Sequence, residues 1–133
     1  MRTARGLASL VLTIISVEGC ADPRPTVPFT RFAELEIEPS QLAQYTAAVK
    51  EEMATSIRIE AGVLAIYAVA DRENPAKLRF FEIYASEAAF RAHIASPHFK
   101  KYVETTKPMI RSRVLRDTIP IQLSDKEGRY EQR

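Results

Sequence analysis

The chain has 133 residues, of which 46% are hydrophobic and 27% are charged. This length suits a single folded domain, and the composition excludes a disordered or fibrous chain. The 19 Lys and Arg residues are interleaved with 17 Asp and Glu residues, which argues against nucleic acid as the main partner. The one cysteine, Cys20, excludes an internal disulfide and a cysteine-based metal site.

The N-terminal segment has the residue order of an export signal. Arg2 and Arg5 precede an apolar run over residues 7–15, and small residues follow it. The run is shorter than the roughly 20 residues that cross a bilayer, so we expect no permanent membrane span. Residues 1–21 are therefore predicted to be a signal peptide, and the mature protein is predicted to lie outside the cytoplasm, in the periplasm or anchored to a membrane.

Two processing routes remain open for this signal. Residues 17–20 resemble the bacterial lipobox, in which cleavage exposes a cysteine for lipidation, although Glu18 is an unusual occupant of that motif. In that case lipidated Cys20 would anchor the protein to a membrane. Ordinary cleavage after Ala21 would instead discard the cysteine together with the signal.

The rest of the chain divides into a tether, a domain and a tail. The proline-rich residues 22–28 indicate a tether, and the polar residues 124–133 indicate a mobile tail. The domain is predicted to occupy residues 29–123. Its first strand is indicated by apolar residues that alternate with polar ones from Phe29 to Ile37.

A helical pattern follows this strand and ends near Gly62. Apolar side chains recur at spacings of three and four, at Leu42, Tyr45, Val49 and Met53. Polar residues occupy the predicted outer faces of the helix, at Gln44, Lys50, Glu51 and Glu52. The segment is therefore predicted to be amphipathic, with one face against a sheet.

The second half of the domain repeats this alternation of strands and helices. The predicted elements are a strand over 63–70, a hairpin loop over 71–76, a strand over 78–84, a helix capped by Ser86 and restarted at Ser96 and Pro97, and a strand over 111–121. The order βαββαβ predicts a ferredoxin-like α+β fold, with a four-stranded antiparallel sheet and both helices on one face. Since residues 63–70 are apolar on both faces, we expect the open face of the sheet to be covered by a second copy, in a homodimer.

One long phrase carries a family resemblance. From Glu82 to Phe99 the chain reads E-x-Y-x-S-x-x-A-F-x-x-H-x-x-S-P-H-F, and residues 60–64 read EAGVL. The domain resembles the antibiotic biosynthesis monooxygenase family, in particular its small dimeric quinol monooxygenases. The resemblance implies a dimeric α/β barrel, a pocket between sheet and helices, and an oxygenase that uses no metal, flavin or haem. The family also includes haem-degrading enzymes and isomerases, so the resemblance specifies no substrate.

His93 and His98 are the candidate bases, because histidine exchanges protons near neutral pH. Their spacing of five, interrupted by Pro97, does not place them on one helix face, and no metal site is predicted. The structural alternatives are a buried ring bonded to backbone for His93 and a helix-start residue that satisfies free amides for His98.

Glu82 is the third candidate catalytic residue. It lies in an apolar strand, where an unpaired carboxylate is costly. It could orient one of the histidines and raise its basicity, or it could pair with a cation such as Arg79 at a dimer interface.

Five aromatic residues are predicted to bind the substrate: Tyr67, Tyr84, Phe90, Phe99 and Tyr102. They lie among apolar neighbours and offer flat walls to an aromatic ligand. The alternative for each is core packing.

The predicted function is a cofactor-independent monooxygenase that oxidises a small hydroquinone or phenolic substrate to a quinone with O2. Haem degradation is disfavoured, because relatives that perform it use a tryptophan and this chain has none. Two alternatives remain open. One is a non-catalytic exported protein that binds small aromatic ligands, and the other is an isomerase that works by proton transfer alone.

Overall fold

The computed structural model describes residues 27–127. The predicted signal peptide, Cys20, most of the tether and the end of the tail lie outside the described residues. The regular elements are β1 (Phe29–Ile37), α1 (Leu42–Ile59), β2 (Val63–Ala70), β3 (Lys77–Tyr84), α2 (Glu87–Ala95), α3 (Pro97–Thr106) and β4 (Ile110–Thr118). Short 3-10 turns precede α1 and β4. Within residues 27–127, no helix combines the length and apolar character needed to cross a membrane.

The four strands form one antiparallel sheet in the order β2-β3-β1-β4. The main core lies between this sheet and the helices, where Ala33, Leu35 and Phe80 of the strands are buried with Tyr45 and Val49 of α1. The predicted ferredoxin-like α+β fold is therefore confirmed. Alternating apolar residues supply the sheet side of this core, and the three-and-four spacing in α1 supplies the helix side.

The second helical segment is divided at Ser96, as predicted. Ser86 caps α2 by accepting a hydrogen bond from the backbone N–H of Ala89 at 3.1 Å. The Ser96 hydroxyl caps α3 by accepting from the backbone N–H of Phe99 at 3.3 Å, and Pro97 occupies the first turn of α3. Because the chain changes direction here, side chains on α2 and α3 can converge on one point.

The last strand is shorter than predicted and ends at Thr118 instead of residue 121. Thr118 pairs with Thr30 of β1, and their hydroxyls are 2.8 Å apart. Pro120, which follows two residues later, has no N–H to donate to a neighbouring strand. Ile119 and Ile121 are correspondingly exposed.

Gly62 sets how closely α2 approaches the turn between α1 and β2. A Cβ atom at Gly62 would lie 2.6 Å from the Cβ of Ala89, closer than real carbon atoms approach. The Gly62 carbonyl also accepts a hydrogen bond from the backbone N–H of Ala85 at 2.9 Å. The absence of a side chain at Gly62 therefore allows α2 to dock against this turn.

Replacing Gly62 with alanine should force α2 away from the turn. We expect the free energy of unfolding to fall by about 1–3 kcal/mol, the usual cost of overpacking. Chemical denaturation of Gly62→Ala would measure this loss. Ala61→Ser is the control, because Ala61 is exposed and the serine also adds one heavy atom. Equal free energies of unfolding for the two variants would show that the close contact with Ala89 does not lower stability.

The sheet face opposite the helices carries a band of apolar side chains. Cross-strand pairing places Tyr67 beside Phe81, and Phe81 beside Phe32. Val69 and Val114 lie on the same face and are 61% and 42% exposed. Among residues 27–127, no helix covers this band, which we call the open face.

Candidate functional site

A cavity of about 320 Å³ lies between the sheet and the helices. Its inner wall is buried and includes His93, Glu52 and Tyr84, which are 2%, 7% and 0% exposed. Its mouth is formed by exposed residues of α2, β4 and the turn before β4, namely Ile94, Lys107, Arg113 and Leu115. This volume is at the lower end of the range of small-molecule sites, so the cavity suits a ligand of one or two rings.

His93 of α2 presents its ring at the inner wall of the cavity. The ring lies between Tyr84 and Phe99, with centroid separations of 5.4 and 4.7 Å. Its Nδ1 atom is 3.0 Å from Glu60 Oε1, and its Nε2 atom is 3.7 Å from Glu52 Oε1. Because Glu52 lines the cavity and Glu60 does not, Nε2 is the nitrogen on the cavity side.

A single oxygen of Glu60 joins the two histidines. Glu60 Oε1 is 3.0 Å from His93 Nδ1 and 2.6 Å from His98 Nε2. Burial alone would raise the pKa of Glu60, but the hydrogen bonds from His93 and His98 outweigh it and hold the pKa below the ordinary glutamate value. An ionised carboxylate only accepts hydrogen bonds, so both nitrogens must donate to it. In its neutral form, His93 therefore carries its lone pair on Nε2.

His98 lies outside the cavity, at the start of α3. Its Nε2 atom also lies 3.2 Å from the Ser96 hydroxyl, and its side chain is 17% exposed. Neither structural alternative describes the histidines, because the rings of His93 and His98 bond to a carboxylate and not to backbone amides. His93 and His98 lie on different helices and share no helix face, as their spacing predicted, but the turn at Ser96 brings their ring centroids to 6.2 Å.

Glu82 lines the cavity but bonds to neither histidine. Its Oε2 atom accepts a hydrogen bond from the Tyr84 hydroxyl at 2.9 Å. Burial raises the pKa of Glu82, and the Tyr84 hydrogen bond and the nearby Arg31 charge offset only part of the rise. The prediction that it orients a histidine was therefore wrong. The Arg79 alternative was also wrong, because Arg79 lies on the open face and pairs with Glu34.

Glu52 was wrongly assigned to the outer face of its helix. It is 7% exposed, and its Oε1 atom accepts a hydrogen bond from the Ser56 hydroxyl at 2.6 Å. The available signal was its position three residues after Val49 and seven after Tyr45, which lies on the apolar stripe of α1. For Glu60, which follows the last turn of α1, no periodicity could have indicated a role.

A group of three residues here could hold a metal ion. Glu52, His93 and His98 each offer one ligand atom, and these atoms lie within 4.8 Å of one another. The hydrogen bonds to Glu60 already occupy one nitrogen of each imidazole, which leaves His93 Nε2 and His98 Nδ1 for a cation. The expectation of no metal remains a prediction.

Four of the five predicted substrate-binding aromatics line the cavity: Tyr84, Phe90, Phe99 and Tyr102. Tyr67 does not, because it pairs across the sheet with Phe81 and lies on the open face, where it is 52% exposed. The apolar run 63–70 gave no indication of which face each residue would occupy. Arg31, which the sequence analysis did not single out, also lines the cavity, with its guanidinium 4.7 Å from the Phe90 ring centroid.

The sequence profile of the antibiotic biosynthesis monooxygenase family matches residues 28–105. The chain belongs to this family. The match spans β1 to α3 and includes every residue of the Glu60–His93–His98 group. No curated protein matched the chain.

Solved structures place this family member among proteins of the same fold. One from Bacteroides thetaiotaomicron, provisionally described as an antibiotic biosynthesis monooxygenase, is 44% identical with a TM-score of 0.72, and the match covers 74% of this chain and 96% of that one. A provisionally described monooxygenase from Lactobacillus acidophilus is 31% identical with a TM-score of 0.68. That match covers 71% of this chain but 44% of the other, so this chain spans less than half of that protein. A structure from Caulobacter crescentus is 18% identical with a TM-score of 0.69, and the match covers 74% of this chain and 93% of that one. At this identity the match shows a shared fold alone.

Proposed function

We propose that this family member is a cofactor-independent monooxygenase that oxidises a small hydroquinone or phenol to a quinone with O2. The observation that carries the proposal is His93, a buried imidazole at the inner wall of an aromatic-lined cavity. Glu60 accepts a hydrogen bond from its Nδ1 atom, which leaves Nε2 facing the cavity as a proton acceptor. A carboxylate behind a histidine also stabilises the imidazolium that forms when the base takes a proton.

The walls of the cavity suit an aromatic substrate. Phe90, Phe99 and Tyr102 provide ring faces and edges, and Phe99 and Tyr102 have their centroids 5.9 Å apart. A cavity of about 320 Å³ accommodates one or two substituted rings. The largely apolar wall also limits water around reactive intermediates.

The proposed reaction starts with transfer of a phenolic proton to His93 Nε2. The phenolate passes one electron to O2, and the phenoxyl and superoxide radicals combine to form a C–O bond at a ring carbon. His93 returns its proton to the peroxide and then takes the hydrogen of that ring carbon as a proton. The O–O bond breaks, and the departing hydroxide accepts this proton and leaves as water. One hydroquinone and one O2 thus give one hydroxyquinone and one water, with all electrons supplied by the substrate.

Glu82 has a distinct role in this proposal. Burial raises the pKa of its carboxyl group, which favours the protonated form. A neutral carboxyl group that accepts from Tyr84 at one oxygen can donate from the other. We propose that it donates a hydrogen bond to the oxygen anion that develops on the substrate or on the peroxide.

Oxygen uptake by the purified protein with hydroquinone, before and after treatment with EDTA, tests this function. Uptake that survives EDTA and proceeds without added cofactor supports a cofactor-independent oxygenase. Added catalase distinguishes monooxygenation from simple oxidation. Monooxygenation releases water, so catalase leaves the oxygen uptake unchanged. Simple oxidation releases hydrogen peroxide, and catalase returns part of the consumed oxygen from it. Uptake that EDTA abolishes would show that the reaction needs a metal and would overturn the cofactor-independent oxygenase.

The two alternative functions give different outcomes in the same experiment. Binding of hydroquinones without oxygen uptake, and unchanged by His93→Gln, would favour a non-catalytic binding protein. An isomerase would instead exchange protons of its substrate, or isomerise it, under nitrogen. This activity would be lost in His93→Gln. Either outcome would overturn the oxygenase proposal.

We further propose that the protein is a homodimer joined through the open face. The apolar band of Phe32, Phe81, Tyr67, Val69 and Val114 supports this, because exposed apolar bands of this kind are usually covered by a partner. A twofold partner would use the same band on both copies.

Replacing Val69 with aspartate should separate the copies, because it places a carboxylate on the proposed apolar contact. We expect the variant to have the mass of one chain in multi-angle light scattering, and the native protein to have twice that mass. Ile121→Asp is the control, since Ile121 is fully exposed beyond the sheet. A Val69→Asp protein that keeps the doubled mass would rule out this interface.

We also propose that the protein acts outside the cytoplasm, as the residue order of its first 21 residues supports. Mass spectrometry of the processed N-terminus would distinguish the routes. A lipidated Cys20 would indicate a membrane anchor, a chain starting at Asp22 would indicate ordinary secretion, and an unprocessed chain would overturn export.

A further inference from the structure

The mouth of the cavity carries two cations that have no anionic partner. Lys107 and Arg113 line the cavity and are exposed, and neither forms an ion pair within residues 27–127. Two other arginines of the same strand are paired: Arg111 donates to Glu38 at 2.8 Å and Arg116 to Glu34 at 2.8 Å. Two unpaired positive charges therefore lie at the cavity entrance.

The mouth of the cavity carries two unpaired cations, whereas Arg31 inside the cavity lies beside the carboxyl group of Glu82. The carboxyl groups of Glu52 and Glu82 and the ring of His93 lie at the buried inner wall, where a phenolic hydroxyl would react. Between them and the cations lie apolar side chains, including Val103, Ile110 and Leu115. A ligand that matches this cavity has a neutral hydroxylated end, an aromatic middle and a negatively charged end.

We propose that the substrate is a hydroxylated aromatic compound with an anionic substituent, such as a carboxylate, that is held at the mouth by Lys107 and Arg113. This inference rests on the proposed function, since it assumes that the hydroxyl group is directed to His93. The anion orients the molecule, because Lys107 and Arg113 attract it to the mouth and so direct the hydroxylated end to the inner wall. It also favours entry in one direction, because the cations attract the charged end from solution.

The test compares two ligands that differ only in charge: 2,5-dihydroxyphenylacetate and its neutral amide. Binding is measured calorimetrically under nitrogen at low salt, so that turnover does not consume the ligands. We expect the native protein to bind the acetate several-fold more tightly than the amide. Removing both cations in a Lys107→Gln, Arg113→Gln variant should weaken acetate binding by about fivefold, as expected for exposed charge pairs, with little effect on the amide.

Arg72→Gln is the matched control, because Arg72 is an exposed arginine on the β2–β3 loop that does not line the cavity. It should leave the preference for the acetate unchanged, and raising the salt concentration to 0.5 M should reduce that preference in the native protein. Equal binding of acetate and amide by the native protein, with oxygen uptake still present, would overturn the anionic substrate and leave the oxygenase intact. Binding of neither ligand would overturn this inference together with the proposed aromatic site.

Discussion

Replacing His93 with glutamine should lower kcat for hydroquinone oxidation by about 10²–10⁴-fold, the usual contribution of a positioned general base. Glutamine is similar in length and can still donate to Glu60, but it cannot accept a proton near neutral pH. Because the cavity walls remain, KM should change little. Steady-state oxygen uptake at several hydroquinone concentrations measures both constants.

His98→Gln is the matched control for this prediction. His98 makes the same kind of bond to Glu60, but it lies outside the cavity. Since a glutamine there can also donate to the carboxylate, we expect a much smaller loss of kcat than for His93→Gln. A larger loss in His98→Gln, with the thermal midpoint unchanged, would transfer the role of base to His98.

Glu60→Gln should lower kcat by about 10–100-fold, the range found when the carboxylate behind a functional histidine is lost. An amide carries no charge to stabilise the His93 imidazolium, and it can present either a donor or an acceptor to Nδ1. The preference for a free lone pair on Nε2 is therefore weakened. Glu87→Gln is the control, because Glu87 is exposed and pairs with Arg91 on the surface of α2. A Glu60→Gln protein with native kcat would show that the base works without this carboxylate.

The same substitution should change how stability depends on pH. Hydrogen bonds from His93 and His98 hold the pKa of Glu60 below the ordinary glutamate value despite partial burial. Ionised Glu60 therefore contributes stability at pH values above that of an unfolded glutamate, and the contribution is lost as pH falls through the folded pKa. The difference in thermal midpoint between native protein and Glu60→Gln should be largest at neutral pH, begin to shrink as pH falls below the unfolded glutamate pKa of about 4.3, and vanish only below the lower folded pKa. A constant difference from pH 7 to pH 3 would contradict the ionised state of Glu60.

The elements of the fold could be predicted from the sequence because their signals are local. Alternation from Phe29 to Ile37 specifies a strand with one buried face, and the hydroxyl groups of Ser86 and Ser96 cap helices within three residues of their own position. The order of these elements then leaves few ways to connect an antiparallel sheet. The phrase from Glu82 to Phe99 also identified the family, because so many of its positions are specified at once.

The composition of the site depended on contacts between distant parts of the chain. Glu60 and His93 are separated by 33 residues, and their contact requires α2 to dock on the turn that contains Gly62. No spacing within either segment predicts that distance, so the sequence suggested Glu82, a carboxylate in an apolar strand, as the partner of a histidine.

The sequence by itself determined the strands, the helices, the family and most of the aromatic wall, because local periodicity and capping act over a few residues. Only the tertiary structure decided which side of the sheet Tyr67 occupies and that Glu60 holds both histidines. A strand that is apolar on both faces does not reveal which side its residues occupy until its pairing is known. A carboxylate takes on its role only when folding determines which donors lie within hydrogen-bond distance.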